Sequence, residues 1–133
     1  DPHRLFESVM HLDLENIQRI HISQEEIDRI TRMISSARKM MLIAGRASFS
    51  LIYYFGFLLR QIDSKFIFFN SGSDYGYEQV SSLQKDDLLF AISFNPYYRR
   101  TYDLVELASS RGIPIACITD YKTSPLVSML ILR

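Results

Sequence analysis

The sequence has little cysteine, proline or glycine, and it has no excess charge of either sign. Its single cysteine, Cys117, cannot form an internal disulfide or a cysteine metal cluster, which favours a reducing, cytoplasmic environment. With 4 Pro, 5 Gly and 47% hydrophobic residues, the chain is neither disordered nor collagen-like. Its 15 basic and 15 acidic residues balance, so the net charge gives no general attraction to nucleic acid or anionic lipid.

Long apolar runs and the common cofactor motifs are also missing. The longest apolar stretch, 47–59, is shorter than the roughly 20 residues that cross a membrane, so we predict no membrane partner. Neither GxGxxG nor GxxxxGK[ST] occurs, and His3, His11 and His21 fall at no metal-ligand spacing. We therefore predict no cofactor and no metal. Because the chain begins at Asp1 without a leader, we expect it to be a piece of a longer protein.

The first 39 residues predict a helical lead-in to the rest of the chain. Pro2 suits a first helical turn, and apolar residues recur at helical spacing as far as His21. A second helix is expected from Ser23, because Ser23 and Glu26 have the spacing of a capping box.

From Met40 onward, short apolar runs alternate with helical segments, a pattern typical of a parallel sheet covered on both faces. We predict a three-layer α/β/α sandwich with about five parallel strands, in one structural unit over residues 40–133. The predicted strands are 40–44, 66–69, 88–94, 113–119 and, weakly, 129–132, and the predicted helices are 48–62, 77–84 and 99–111, the last ended by Gly112.

Ligands of such sheets bind beyond the carboxyl ends of the strands, which selects the loops 45–50, 70–77, 93–101 and 119–124. In the first loop, Gly45 allows close backbone approach, and Ser48 and Ser50 supply hydroxyl donors for an anion. An ordinary strand-to-helix turn with Ser48 as the N-cap is an equally good interpretation.

The loop after the third predicted strand carries most of the other candidate ligand-binding residues. Guanidinium groups match phosphate, and aromatic faces pack on sugar rings. Two arginines on the solvent-facing first turn of a helix are the alternative interpretation. The candidates in this loop are Ser93, Asn95, Tyr97, Arg99, Arg100 and Thr101.

Three carboxylates, Asp74, Glu78 and Asp120, fall on the same side of the predicted sheet, and Glu78 is placed where a general base could act. A first-turn residue stabilised by the helix dipole is the simpler interpretation of Glu78. We therefore assign no catalytic residue.

Four segments, in this order and spacing, resemble the sugar isomerase (SIS) domain, in the version that forms the C-terminal half of RpiR-type transcription regulators. They are SSARKMMLIAGRAS at 35–48, DDLLFAISF at 86–94, ASSRGIPIACITD at 108–120 and SPL at 124–126. The sequence departs from the family at two turns. Ala47 stands where the first turn usually has a second glycine, and the second turn keeps only Ser93 of the usual Ser-x-Ser-Gly-x-Thr.

The resemblance implies a flavodoxin-like sheet and a domain without enzyme activity that senses a phosphorylated sugar or related anionic metabolite in a bacterial regulator. It also implies a homodimer or tetramer, with DNA bound through a helix-turn-helix module that precedes this chain. The alternatives are an aldose–ketose isomerase that uses Glu78 and a degenerate domain that only dimerises. The segment 48–62 is apolar nearly all round, which independently predicts self-association.

Overall fold

A computed structural model describes residues 1–70, 75–120 and 125 of the chain. Two compact units are present, Asp1–Thr31 and a second that begins at Arg32. No helix within these ranges is long and apolar enough to span a membrane. The elements are α1 Pro2–Gln18, α2 Gln24–Ser36, β1 Met40–Ala44, α3 Ser48–Arg60, β2 Phe66–Asn70, α4 Gly76–Ser81, β3 Leu88–Ile92, α5 Arg99–Ser110 and β4 Ile115–Ile118.

The predicted starts of the two N-terminal helices are confirmed. Pro2 opens α1, and the Asp1 carboxylate accepts a hydrogen bond from the His3 amide at 3.1 Å. At α2, the Ser23 amide donates to the Glu26 carboxylate at 2.9 Å, and the Glu26 amide donates to the Ser23 hydroxyl oxygen at 3.1 Å. The predicted capping box therefore forms in full.

The sheet is parallel throughout, with the strand order β2-β1-β3-β4. This arrangement confirms the predicted fold class. Four strands are described, and the weak fifth strand expected at 129–132 lies outside the described residues. The chain moves outward from β1 to β2 and then returns to the other side of β1 for β3. The strand order thus reverses between β1 and β3.

Side chains alternate between two buried faces of the sheet, as they must when helices cover both sides. One face packs against α4 and α5 in a cluster that includes Met41, Leu89 and Leu104. The other face packs against α3, where the rings of Phe55 and Phe90 have centroids 5.1 Å apart. These two packed faces establish the three layers that the sequence predicts.

Gly112 terminates α5, as predicted. Gly112 adopts a positive φ of 71°, its amide donates to the Ser109 carbonyl, and the Ile113 amide donates to the Ala108 carbonyl, both at 3.0 Å. This pair of bonds is a Schellman motif, which satisfies carbonyls left open at the end of the helix. Residues 113–114 complete the turn, so β4 begins two residues later than expected, at Ile115.

Candidate functional site

The fold places two loops beside each other at the point where the strand order reverses. β1 and β3 are parallel neighbours in register from Met40 opposite Leu88 to Ala44 opposite Ile92. The turn from β1 to α3 and the loop from β3 to α5 therefore leave the same edge of the sheet side by side. In open α/β sheets, the crevice at such a reversal is the preferred ligand site.

No side chain caps the start of α3 after the turn from β1. Gly45 is buried, Arg46 has a left-handed backbone with φ 55°, and Ala47 stands at the N-cap position without a side-chain hydrogen bond. The interpretation of Ser48 as the N-cap is therefore wrong, because the helix already begins at that residue. The Ser50 hydroxyl donates to the Ala47 carbonyl at 2.7 Å, whereas the Ser48 hydroxyl forms no hydrogen bond within the described residues.

The two loops meet through Tyr98. Its ring lies so close to Gly45 that a Cβ atom added to that glycine would overlap Cδ1 of the ring. The guanidinium carbon of Arg46 lies 5.0 Å from the centroid of the same ring, within the range of a cation–π contact. Tyr98 therefore contacts both residues at the turn that precedes α3.

Asp120, just after β4, holds the other part of the β3–α5 loop. Its carboxylate accepts hydrogen bonds from the Asn95 amide at 3.0 Å, the Tyr97 hydroxyl at 2.7 Å and the Thr119 hydroxyl at 3.1 Å. Desolvation is the largest single influence on the pKa of Asp120 and raises it. The hydrogen bonds from Tyr97, the Asn95 amide, its own amide and Thr119 outweigh it together and hold the pKa below its ordinary value.

Of the predicted site residues, the structure brings Gly45, Ser48 and Ser50 to one side of the crevice and Asn95 and Tyr97 to the loop that faces it. The other predicted residues differ in accessibility. Ser93 is buried, and its amide donates to the Ile118 carbonyl at 3.1 Å. Thr101 is fully buried within the first turn of α5.

The two adjacent arginines lie at the start of α5, and both have interaction partners. The Arg99 Nε donates to the Asp103 carboxylate at 3.0 Å, and its guanidinium lies 5.6 Å from the Tyr102 ring centroid. Arg99 thus follows the surface of α5, which is the arrangement of the alternative interpretation. Arg100 is half-buried and has an interaction partner of its own.

The candidate general base, Glu78, is exposed in the first turn of the short helix α4. No hydrogen bond or ion pair holds its carboxylate within the described part of the chain. Asp74 lies outside the described residues. His3 and His11 lie on α1 beside Glu7 and Glu15, and no cluster of metal-ligating side chains occurs among the residues described.

Sequence reasoning did not assign Arg46, Tyr98 or Asp120 to the ligand site. Arg46 could have been noticed as a cation within a glycine turn that opens a helix. Asp120 was placed on the correct edge, but its role as the acceptor for Asn95 and Tyr97 depends on the path of the loop. Which of two adjacent tyrosines faces the crevice depends on the same path, and periodicity carries no information about it.

The strand order defines a class of protein, the doubly wound α/β domains, whose ligands characteristically bind where the strand order reverses. Residues 33–131 match the sequence profile of the SIS domain. The chain therefore belongs to the SIS domain family, as the sequence motifs predicted. No curated protein matches the chain.

Solved structures of related fold agree with this assignment. The SIS domain of an RpiR transcription factor from Sphaerobacter thermophilus superposes with a TM-score of 0.85 at 19% identity, covering 98% of this chain and 72% of that one. NanR of Vibrio vulnificus in complex with ManNAc-6P gives 0.83 at 24%, with 98% and 49% covered. A protein of Escherichia coli CFT073 in complex with arabinose 5-phosphate gives 0.81 at 16%, with 99% and 71% covered.

Proposed function

We propose that this SIS domain binds a phosphorylated sugar, or a related anionic metabolite, in the crevice between the β1–α3 turn and the β3–α5 loop. The observation that carries the proposal is the meeting of the two loops where the strand order reverses, beside the start of α3, which has no side-chain cap. At the start of α3 the Phe49 and Ser50 amides already donate to the Arg46 and Ala47 carbonyls, at 3.1 and 3.3 Å, whereas the Ala47 and Ser48 amides form no hydrogen bond within the described residues. The helix dipole favours negative charge at this end. An anionic group at this place would accept hydrogen bonds from the Ala47 and Ser48 amides and from the Ser48 hydroxyl.

The liganded relatives support this choice of ligand class. NanR was solved with the phosphosugar ManNAc-6P and the E. coli protein with the phosphosugar arabinose 5-phosphate, both on the same fold. In our proposal the ligand-binding set is the one drawn from the sequence, with Gly45, Ser48, Ser50 and Asn95 nearest the crevice. Ser93, Tyr97, Arg99, Arg100 and Thr101 support the loop that completes it.

We further propose that the domain is the effector-sensing and dimerising part of a bacterial transcription regulator in the cytoplasm. The regulator SIS domains among its structural relatives support this role. Ligand binding would favour one dimer arrangement and so set the separation of two DNA-binding modules, since dimer geometry determines half-site spacing. DNA would be bound by a helix-turn-helix module outside this chain.

An aldose–ketose isomerase is the second candidate, because Glu78 lies in the helix that follows β2, on the ligand side of the sheet. A general base needs an environment that tunes its pKa and a fixed position relative to the substrate. The exposed Glu78 carboxylate has neither burial nor a described partner. We therefore expect no turnover of the phosphosugars that bind, measured by proton exchange at the carbon next to the carbonyl. Turnover that Glu78→Gln abolishes would replace the sensing role with the isomerase.

A thermal-shift panel tests the binding proposal. ManNAc-6P, arabinose 5-phosphate and their unphosphorylated sugars are compared at equal concentrations. A ligand at 100 times its Kd stabilises the fold by about 2.7 kcal/mol, which raises the Tm by roughly 5 to 15 °C for a domain of this size. Ser48→Ala should reduce the shift. Ser110→Ala is the matched control, because its hydroxyl bonds the Leu107 carbonyl at the far end of α5. If no phosphosugar of a broader panel shifts the Tm either, the alternative of a degenerate domain that only dimerises is favoured.

A further inference from the structure

We propose that Arg46, held against Tyr98, is the cation that makes this crevice select phosphorylated over neutral sugars. The inference rests on the proposed function and adds to it the residue pair that determines specificity. It replaces the expectation that Arg99 and Arg100 supply the positive charge. Three steps lead to it: the partners of the arginines at this edge, the hydrogen-bond donors that Arg46 keeps available, and the support beneath the Tyr98 ring.

The first step concerns the arginines beside the crevice. Arg99 is committed to the Asp103 carboxylate and the Tyr102 ring on α5, and Arg100 is half-buried with a partner of its own. Arg46 is exposed and forms no ion pair within the described residues; its contact there is with the Tyr98 ring. A guanidinium without a carboxylate partner retains its full charge for an incoming anion.

The second step concerns which bonds a guanidinium placed over an aromatic ring can still form. Arg46 has its guanidinium carbon 5.0 Å from the Tyr98 ring centroid, so the cation meets the ring without using a hydrogen bond. Guanidinium N–H groups point outward in the plane of the group, which leaves them free to form a forked pair of bonds with phosphate oxygens. The contact with the ring therefore leaves all the guanidinium donors available to a ligand.

The third step concerns the support beneath the ring. The Tyr98 ring lies against Gly45, where the Cβ atom of any other residue at position 45 would be. The preceding residue, Tyr97, is bound through its hydroxyl to Asp120 at 2.7 Å, and the Asn95 amide is bound to the same carboxylate. The platform for Arg46 is thus fixed from two sides before any ligand arrives, which lowers the entropy lost on binding.

The test measures Kd by calorimetry for ManNAc-6P, arabinose 5-phosphate, inorganic phosphate and the unphosphorylated sugars, with the intact chain and five variants. Arg46→Gln should weaken phosphosugar binding about 10- to 100-fold, the range of a charge-assisted hydrogen bond, and leave neutral sugars unchanged. Tyr98→Phe keeps the ring and should bind like the parent, whereas Tyr98→Leu should weaken binding. Lys85→Gln removes one charge from the amino edge and serves as the control. Arg99→Gln should weaken binding less than Arg46→Gln.

The outcomes separate this inference from the proposed function. If Arg46→Gln binds phosphosugars like the parent, or loses no more affinity than Arg99→Gln, the assignment of Arg46 is overturned while the binding site stands. If the parent binds neither phosphosugar, both the proposed function and the role of Arg46 are wrong. Because Arg46 is exposed, we expect Arg46→Gln to fold normally. The test therefore still gives a result if Tyr98→Leu does not fold. Weaker binding of neutral sugars to Arg46→Gln would also contradict a role in recognising charge.

Discussion

At the scale of single residues, Gly45 determines how closely the two loops of the site approach. The Tyr98 ring occupies the space that a side chain at position 45 would fill. The need for a small residue was foreseeable from the sequence, because glycine in a strand-to-helix turn indicates a close approach. The group that approaches was not foreseeable, since Tyr98 is 53 residues further along the chain and reaches Gly45 only through the sheet.

Gly45→Ala should therefore destabilise the domain by about 1 to 3 kcal/mol, because the new methyl group forces the ring aside. The free energy of unfolding in urea measures this effect. In a Tyr98→Leu background the same substitution should have a smaller effect, because a leucine can move away more easily than the ring. Equal losses in both backgrounds would show that the ring is not what restricts position 45.

The surroundings of Cys117 disfavour the thiolate, which is the reactive form of its side chain. Burial raises the pKa of its thiol to about 11, so at pH 8 only about one thiol in a thousand is ionised. We expect alkylation by iodoacetamide at pH 8 to be far slower in the folded protein than in urea, where the thiol returns to an ordinary pKa. Equal rates in the two states, followed by mass spectrometry, would contradict this expectation.

Asp120 should make stability depend on acid pH. Its folded pKa is lower than the ordinary 3.8, so its contribution is fully present above the unfolded pKa and is lost as the pH falls through the folded pKa. Asp120→Asn should therefore lower the Tm at pH 7 and reduce the difference in Tm between pH 7 and pH 3. Asp86→Asn, at the amino edge, is the control for removing one exposed carboxylate. If the Tm of Asp120→Asn depends on pH in the same way as that of the parent, the Asp120 carboxylate is not a cause of the pH dependence.

At the scale of elements, the sequence predicts best where one local rule determines the outcome. β1 has the predicted bounds because its five residues are all apolar and buried, and Lys39 and Gly45 flank them. The capping box at Ser23 and the Schellman turn at Gly112 each depend on a few adjacent residues. The β3–α5 loop could not be predicted in this way, because Asn95 and Tyr97 are positioned by Asp120 from another strand.

Gly112 provides the test at this scale. With φ at 71°, Gly112→Ala should cost about 1 kcal/mol, because a Cβ atom disfavours left-handed backbone. The nearest heavy atom to an added Cβ is Lys85 Cε at 3.7 Å, an ordinary contact, so crowding adds nothing. Gly112→Asn should cost less, since asparagine tolerates this conformation. Urea unfolding measures both variants, and equal losses would mean that backbone conformation is not the cause.

At the scale of the whole molecule, α3 has more apolar surface than the sheet covers. Ile52 and Gly56 are buried beneath it, while the opposite side exposes large apolar side chains to solvent. The exposed set on α3 is Leu51, Tyr53, Tyr54, Phe57 and Leu58, and the exposed Ile62 follows two residues after the helix ends. Contiguous apolar surface of this kind is uncommon on monomers and typically marks an interface. The sequence predicted this surplus from composition alone, because a helix that is apolar all round exceeds what one sheet face can bury.

We expect this surface, the exposed apolar face of α3, to join two copies of the chain. Leu51, Tyr54 and Leu58 are spaced three and four residues apart and so form one stripe along the helix. Two such stripes would pack against each other about a two-fold axis, the commonest symmetry of homodimers.

Sedimentation at tens of micromolar should therefore give a dimer, and Tyr54→Glu should shift it toward monomer because a buried carboxylate without a partner is costly. Gln79→Glu, an equal charge change on exposed α4, should leave the dimer intact. A monomeric parent, or a Tyr54→Glu variant that sediments like the parent, would show that α3 is not the interface.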